Sequence, residues 1–441
     1  MKFLELSLPV EKITSKQFLA LAQYFSSEES ILLHSGEGHS LSRYSYLGLF
    51  PTETLRVHQG MKNPWESMKD RMGSFPDAAE KIPLWMGFLG YPMGECSDWE
   101  KHISMHATKF PIAYFQKYQF LFVFEAGSGK LRAYGDQEHM EWPWQKKFTS
   151  GLFWQTLFAS TCFKEQSCKM NKLSMGEEKT AYIKKVREIQ DFLTKGDIYQ
   201  LNYSHPFIFQ GKTPPFAIFQ KINAKNPAPY SAYVKAKNFS VVCSSPELFL
   251  QRSGRILETR PIKGTMPRGK TKIEDRKNQK VLSASKKDRA ELTMITDLLR
   301  NDLGKFSEVG SVKVIDPFKI EAYENVFHML SIIRSKVVSQ KHPLDILRAC
   351  FPGGSITGCP KLRAMELIHY FENASRDIYT GSIGVFFANG DFTFNIAIRT
   401  LLFYQDIITL RLGGAIVADS KPEKEYEETL HKGKTFFQIL A

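Results

Sequence analysis

What this chain of 441 residues lacks sets its class before anything it contains. No apolar run approaches the ~18–20 residues needed to span a bilayer. The opening Met1-Lys2-Phe3-Leu4-Glu5 has no uninterrupted apolar region of the signal-peptide kind. Six cysteines (Cys96, Cys162, Cys168, Cys243, Cys350, Cys359) are scattered without paired short spacings, which argues against a zinc site and a disulfide framework. There is no internal repeat and no low-complexity tract. These absences point to a cytoplasmic globular protein without a membrane segment.

The composition agrees, at 43% apolar and 24% charged residues, and the length allows two or three domains. The net charge of +13 leaves two readings, nucleic acid or an anionic small molecule. A basic run extends from Lys263 through Arg268, Lys270, Lys272, Arg276, Lys277 and Lys280 to Lys286, Lys287 and Arg289. It has no regular aromatic interleaving and no helix-turn-helix, zinc-finger or RNA-recognition signature, so a nucleic-acid-binding protein is the weaker reading.

Residues 1–160 read as short strands punctuated by turns: 31–34 running into Ser35-Gly36-Glu37-Gly38, 43–48 closed by Pro51, and a glycine-dotted aromatic strand at 84–91. Residues 161–176 are polar and aperiodic, the linker candidate before a region 177–441. There, Tyr182, Val186, Ile189 and Leu193 have helical spacing up to Gly196. A strand at 239–243 runs out in Ser244-Ser245-Pro246, which puts Glu247 just past its end. A helix spans 288–303, and a Pro/Gly-rich loop, 351–361, opens a helix at 361–371. Asn389-Gly390 predicts a hairpin into a strand 391–403 that contains Arg399. After strand 407–412, Gly413-Gly414-Ala415 reads as a turn, and a last helix starts near Pro422 with Ser420 as its cap.

Several of these residues can carry chemistry. Lys263 stands between Pro261-Ile262 and Gly264-Thr265, with Arg260, Arg268 and Lys270 close in sequence. Cationic neighbours lower a lysine's pKa toward a value at which free amine exists. Being half neutral at pH 7 demands roughly 4 kcal/mol of differential interaction; the bland alternative is a turn lysine in water. Two helices carry acidic pairs one turn apart, Asp288/Glu291 and Glu425/Glu428. Carboxylates without histidine or cysteine suit Mg²⁺, although such pairs near helix starts also simply complement the dipole. Arg399 in an apolar strand needs a structural acid or an anionic ligand. Glycines at 353–358 and 413–414 can offer backbone N–H groups to an anion, and His328 reads as a core histidine. Together they describe a site for a small acid with more than one carboxylate.

Seven motifs then fall in a familiar order. They are Gly196-Asp197-Ile198-Tyr199-Gln200, Ser245-Pro246-Glu247, Arg260-Pro261-Ile262-Lys263-Gly264-Thr265, the 297–303 stretch, the 352–361 loop, Ile398-Arg399-Thr400 and Ile416-Val417-Ala418-Asp419-Ser420. In this order they resemble the chorismate-utilising enzymes, among them the large subunits of anthranilate synthase and aminodeoxychorismate synthase. The likeness is dense over 177–441 and thinner before it. It implies an α+β fold of large antiparallel sheets in a sandwich, helices packed outside and the site between them, over an amino-terminal scaffold region.

The resemblance also implies roles. Glu291 and Glu428 match metal ligands for Mg²⁺; Gly264, Thr265, Tyr379, Arg399, Gly413, Gly414 and Ala415 match chorismate contacts. Glu247 matches the acid near the 4-hydroxyl, and His328 matches an active-site histidine. Lys263 falls where aminodeoxychorismate synthases carry lysine and anthranilate synthases usually carry alanine. The expected activity is therefore amination of chorismate at C4, toward p-aminobenzoate and folate, through a lysine adduct. Anthranilate synthase is the nearest alternative; salicylate and isochorismate synthases tend to place a lysine where this chain has Gln200. No cysteine sits in a Gly-x-Cys-x-Gly elbow, so the family's arrangement implies a separate glutamine amidotransferase subunit supplying ammonia. Ser35 with Pro229, Tyr230 and Ser231 matches where family members bind tryptophan, a site that is inhibitory in anthranilate synthases and is expected to be structural or empty in this chain. Ala415 and Cys359 depart from the residues often seen at their positions.

Overall fold

The computed structural model describes residues 3–36, 41, 43–75, 81–96, 106–139, 142–159, 170–338 and 341–440. Among them twenty strands join into one hydrogen-bonded antiparallel network. Side-chain alternation decides the layers. Ile31, Phe88, Tyr114, Val234, Val241 and Val385, from six different strands, meet in a core built almost wholly of strand residues. Two further cores bring in the helices: Phe18, Phe219 and Phe436 in one, Tyr182, Ile295 and Ile368 in the other. The architecture is thus an α+β sandwich with helices outside.

Strands of the first 160 residues pair with strands beyond 177. Ser30–His34 lies against Tyr230–Lys235, and Pro83–Leu89 against Ser382–Phe387. Asn171–Ser174, within the 161–176 stretch, is itself a strand edge on Gln200–Gln210. Residues 161–169, with Cys162 and Cys168, lie outside the described residues, as do Glu37 and Gly38; the four described cysteines are free. No described helix is long and apolar enough to cross a membrane.

Helix Lys179–Thr194 buries the four residues its spacing predicts, and Lys361–Phe371 and the Asn389-Gly390 hairpin form as read. Four local readings change. Pro51 does not close its strand: Tyr44–Val57 runs through it, absorbing the missing N–H at a register shift between Pro51 and Glu53. The strand read at 391–403 is two, Phe392–Asn395 and Thr400–Tyr404, broken where Arg399 takes φ 53°. Gly413-Gly414-Ala415 is no turn, since strand Ile407–Ile416 continues through it against Gln200–Gln210. A Cβ at Gly413 would lie 2.1 Å from the Tyr203 carbonyl oxygen, so glycine there permits close pairing and not a bend. Ser420 gives its hydroxyl to the Glu425 carboxylate at 2.8 Å instead of capping the last helix. The basic run also folds as a helix, Lys272–Ser283, that buries only Leu282 and so leaves no apolar stripe to read.

Bare backbone also locks the centre of the network. A Cβ on Gly87 would stand 1.9 Å from the Tyr114 carbonyl oxygen, between the two strands that flank Pro83–Leu89. Gly87→Ala is therefore expected to lower unfolding free energy by about 1–3 kcal/mol, the usual cost of overpacking. Urea denaturation reads this directly, and an unchanged midpoint contradicts it.

Candidate active site

Strand Ile262–Pro267 carries Lys263 opposite Met329 and Thr265 opposite His328. Burial pulls the Lys263 amine below its ordinary range; the carboxylates of Glu291, Glu247 and Glu428 oppose that pull, and Lys432 adds to it. This corrects the cause expected from the sequence. Arg268 is forked onto Asp275 at 2.8 and 2.9 Å, and Arg260 is held by Glu258 at 2.6 Å and Glu321 at 3.6 Å. Those cations are paired where they stand, so desolvation, with Lys432 as a minor addition, depresses the amine in place of the sequence neighbours.

Glu247 follows strand Phe239–Ser245 and is 5% exposed. Its N–H donates to Ser245 Oγ, and its carbonyl accepts from the Ile396 N–H. Burial pushes its carboxyl up to about 7, against the Ser355 hydroxyl and Lys263, which pull it down. The acid is thus raised and the amine lowered by the same cause, burial, while each charge opposes the other's shift.

Around them stand the other carboxylates. Glu291 lies on helix Lys286–Gly304, 3.7 Å from Lys287; Glu428 lies on helix Pro422–Leu440, 2.9 Å from Lys432. Lys432, foremost, holds the Glu428 carboxyl low, and Lys287 acts on both Glu425 and Glu428, so the two helix starts are neighbours. Asp288 reaches Gly264, where a Cβ would meet its Cγ at 2.9 Å. These are hard oxygen donors without thiolate or imidazole, the donor set Mg²⁺ takes. Among the described residues, the three metal-capable side chains whose ligand atoms lie within 4.8 Å of one another are Asp136, Glu138 and His139. There Asp136 is already occupied by His139 at 2.7 Å and by the Glu138 N–H.

Arg399 lies at the break between two strands. Burial lowers its pKa, the Tyr323 hydroxyl is the group that opposes this, and no ion pair to it occurs among the described residues. A guanidinium so placed can receive an anion. Tyr323 in turn meets His328 edge-on at 4.9 Å, and His328 Nδ1 lies 2.9 Å from Thr265 Oγ1. Lys263 is thus coupled to Glu291, Glu247 and Glu428, and the Thr265–His328–Tyr323 contacts link its strand to Arg399.

A family model for chorismate binding enzymes matches residues 28–438. The chain belongs to that family. It is 32% identical over 444 aligned residues to aminodeoxychorismate synthase component 1 of Bacillus subtilis (strain 168), covering 95% of this chain and 92% of that one. The Escherichia coli (strain K12) protein of the same name is 43% identical over 251 residues, 57% of this chain and 55% of the relative. Among solved structures, anthranilate synthase component I from Streptococcus pneumoniae TIGR4 superposes with TM-score 0.76 at 24% identity, over 90% of this chain and 92% of that one.

Within this chorismate-binding enzyme the remaining matched positions also find places. The strand with Gly413 and Gly414 runs beside the last helix: Lys432 Nζ donates to the Gly413 carbonyl at 3.0 Å, and a Cβ on Gly414 would meet it at 3.3 Å. Tyr379, 5% exposed, stands beside Arg376, which Glu372 clamps at 2.7 Å while also holding Arg411 at 2.7 Å. Gln200 is fully buried, and neither amide atom finds a partner among the described residues. Ser35, Pro229, Tyr230 and Ser231 come together in a separate cavity of about 380 Å³, with Tyr44 and Tyr46 on its wall. Two motif residues prove to be structural: Lys361 gives its amine to Asp302 at 2.6 Å and to the Cys350 carbonyl at 2.8 Å, pinning the 351–361 loop to a helix. Sequence reasoning missed Lys432, Ser355 and Tyr323. Only Lys432 left a signal, four residues after Glu428 on the same helix.

Glu247 makes the site's electrostatics measurable through stability. Its folded pKa, about 7, lies above the ordinary 4.5. Relative to a neutral residue, the wild type then loses stability as pH rises from that ordinary value through 7, by roughly 3 kcal/mol in all. Glu247→Gln is expected to unfold at higher denaturant than wild type at pH 8, with most of that gap gone at pH 5. An equal gap at both pH values contradicts the assignment.

Proposed function

We propose that this chorismate-utilising enzyme aminates chorismate at C4, forming 4-amino-4-deoxychorismate with Lys263 as the covalent nucleophile. The observation that carries the reading is the desolvated Lys263 amine beside a buried acid that protonates near pH 7. In the anthranilate synthases this position usually holds alanine, which cannot form an adduct.

Arg399 would receive one substrate carboxylate, with Thr265 and the strand at Gly413–Ala415 as further walls. Glu291 and Glu428 would hold Mg²⁺, which when bound neutralises the ring carboxylate and draws electron density from the diene. Glu247 would donate its proton to the 4-hydroxyl as the C4–O bond breaks. Lys263 Nζ would attack C2, both ring double bonds shifting (C1=C2 to C1=C6 and C5=C6 to C4=C5) so that water leaves from C4. Ammonia would then add at C4, the C2–N bond to Lys263 would break, and Glu247 would regain a proton from the new ammonium. Two modest barriers replace one high one. His328, set by Thr265, would order the cleft between nucleophile and Arg399.

Ammonia would come from a glutamine amidotransferase subunit, in keeping with the "component 1" in the relatives' names. Gln200 supports amination over addition of water, since the water-adding branch tends to carry lysine there. The cavity at Ser35 and Tyr230 would take tryptophan. A nucleic-acid-binding role is the reading of another class; affinity for DNA or RNA falling steeply with salt, without chorismate turnover, would favour it.

Lys263→Ala should abolish 4-amino-4-deoxychorismate, read by mass spectrometry after incubation with chorismate, Mg²⁺ and ammonium, while chorismate binding persists. Undiminished C4 amination in that variant would sink the nucleophile role. Anthranilate as the wild-type product would move the enzyme to the other branch.

A further inference from the structure

Residues 263–289 hold ten lysines and arginines against three acids, a surplus of more than half the chain's net charge of +13. An ordinary solvated face is the bland account of such a run. Its position argues otherwise. Leu282, the buried residue of helix Lys272–Ser283, packs on Gly264, where a Cβ would meet it at 3.0 Å, and Asp288 from the next helix reaches the same glycine. Helix Lys272–Ser283 therefore lies against the strand that carries Lys263, Gly264 and Thr265, with its charged residues outward. The local acids offset only part of it, three against ten, and Asp275 is paired with Arg268. Lys270, Lys272, Arg276, Lys277, Lys280 and Lys286 are exposed and make no ion pair among the described residues. Between them the apolar exposures are aliphatic, Ile273 and Val281, which offer no π-face on which a base could stack.

We propose that this band is an electrostatic funnel for a small organic dianion. It concentrates the substrate at the cleft mouth and speeds its entry, and it takes no part in bond making. The proposal rests on the chorismate reading above, chorismate being a dianion. Fields of this kind raise association rates by ~10–10³-fold at low ionic strength and vanish once the Debye length falls well below the spacing of the charges.

The test uses the full chain with Mg²⁺ and chorismate but no ammonium. Binding is followed by calorimetry and the association rate by stopped-flow fluorescence, at about 10 mM and about 1 M salt, where the Debye length is roughly 30 and 3 Å. The variant Lys277→Glu/Lys280→Glu alters two exposed residues outside the catalytic set; Lys16→Glu, on the helix Ser15–Tyr24, is the control. At low salt the double variant should bind chorismate about 3- to 10-fold more weakly and more slowly than wild type, and at high salt equally well. With ammonium restored at saturating chorismate, kcat should be unchanged. Equal binding of variant and wild type at low salt, a defect that persists at high salt, or the same loss in Lys16→Glu overturns the funnel while leaving the chorismate reading intact. A wild type that neither binds nor turns over chorismate overturns both.

Discussion

An amine held out of water among carboxylates is the constraint on which the rest of this cleft depends. Lys263 loses hydration by burial, yet Glu291, Glu247 and Glu428 draw it back toward its charged form. Burial is the larger influence, and the amine is lowered from its ordinary range. The same burial that lowers Lys263 raises Glu247, because in a low-dielectric cleft both charged forms are penalised. One physical cause thus shifts both groups, the amine down and the acid up.

Holding that cleft open is the task of contacts that touch no substrate. The Asp302–Lys361 pair anchors the loop that brings Ser355 to Glu247. Glu372 clamps Arg376 and Arg411 from opposite sides, setting the base on which Tyr379 stands. Removing one partner of such a buried pair strands a charge, which is far more damaging than never having had the pair. Glycines 87 and 413 act through absence, letting strands approach where any side chain would collide.

Much of this was legible in the sequence, for reasons particular to each element. Helix Lys179–Thr194 declared itself because its buried residues keep strict spacing; helix Lys272–Ser283 did not, since a helix with one buried residue has no period to detect. Lys263, Glu247, Glu291, Glu428 and Arg399 were named by motif order. Their convergence could not be, because they come from two strand regions, two helices and a break between strands. The cause assigned to the lysine's acidity was misplaced for the same reason. Sequence proximity set Arg260 and Arg268 beside Lys263, whereas folding turned each to a carboxylate of its own. Arg399 read as a strand residue because its neighbours are apolar, and its left-handed backbone left no trace in the residue type.

The most direct test of the account is the proton affinity of the Lys263 amine itself. It can be measured in the protein without substrate by carbon-13 NMR of labelled lysine side chains, with Lys263→Arg assigning the signal. The account predicts a titration below the ordinary lysine value of 10.5, moving further down in Glu247→Gln, where one opposing carboxylate is gone. A Lys263 that titrates at the ordinary value, indifferent to Glu247, would contradict it.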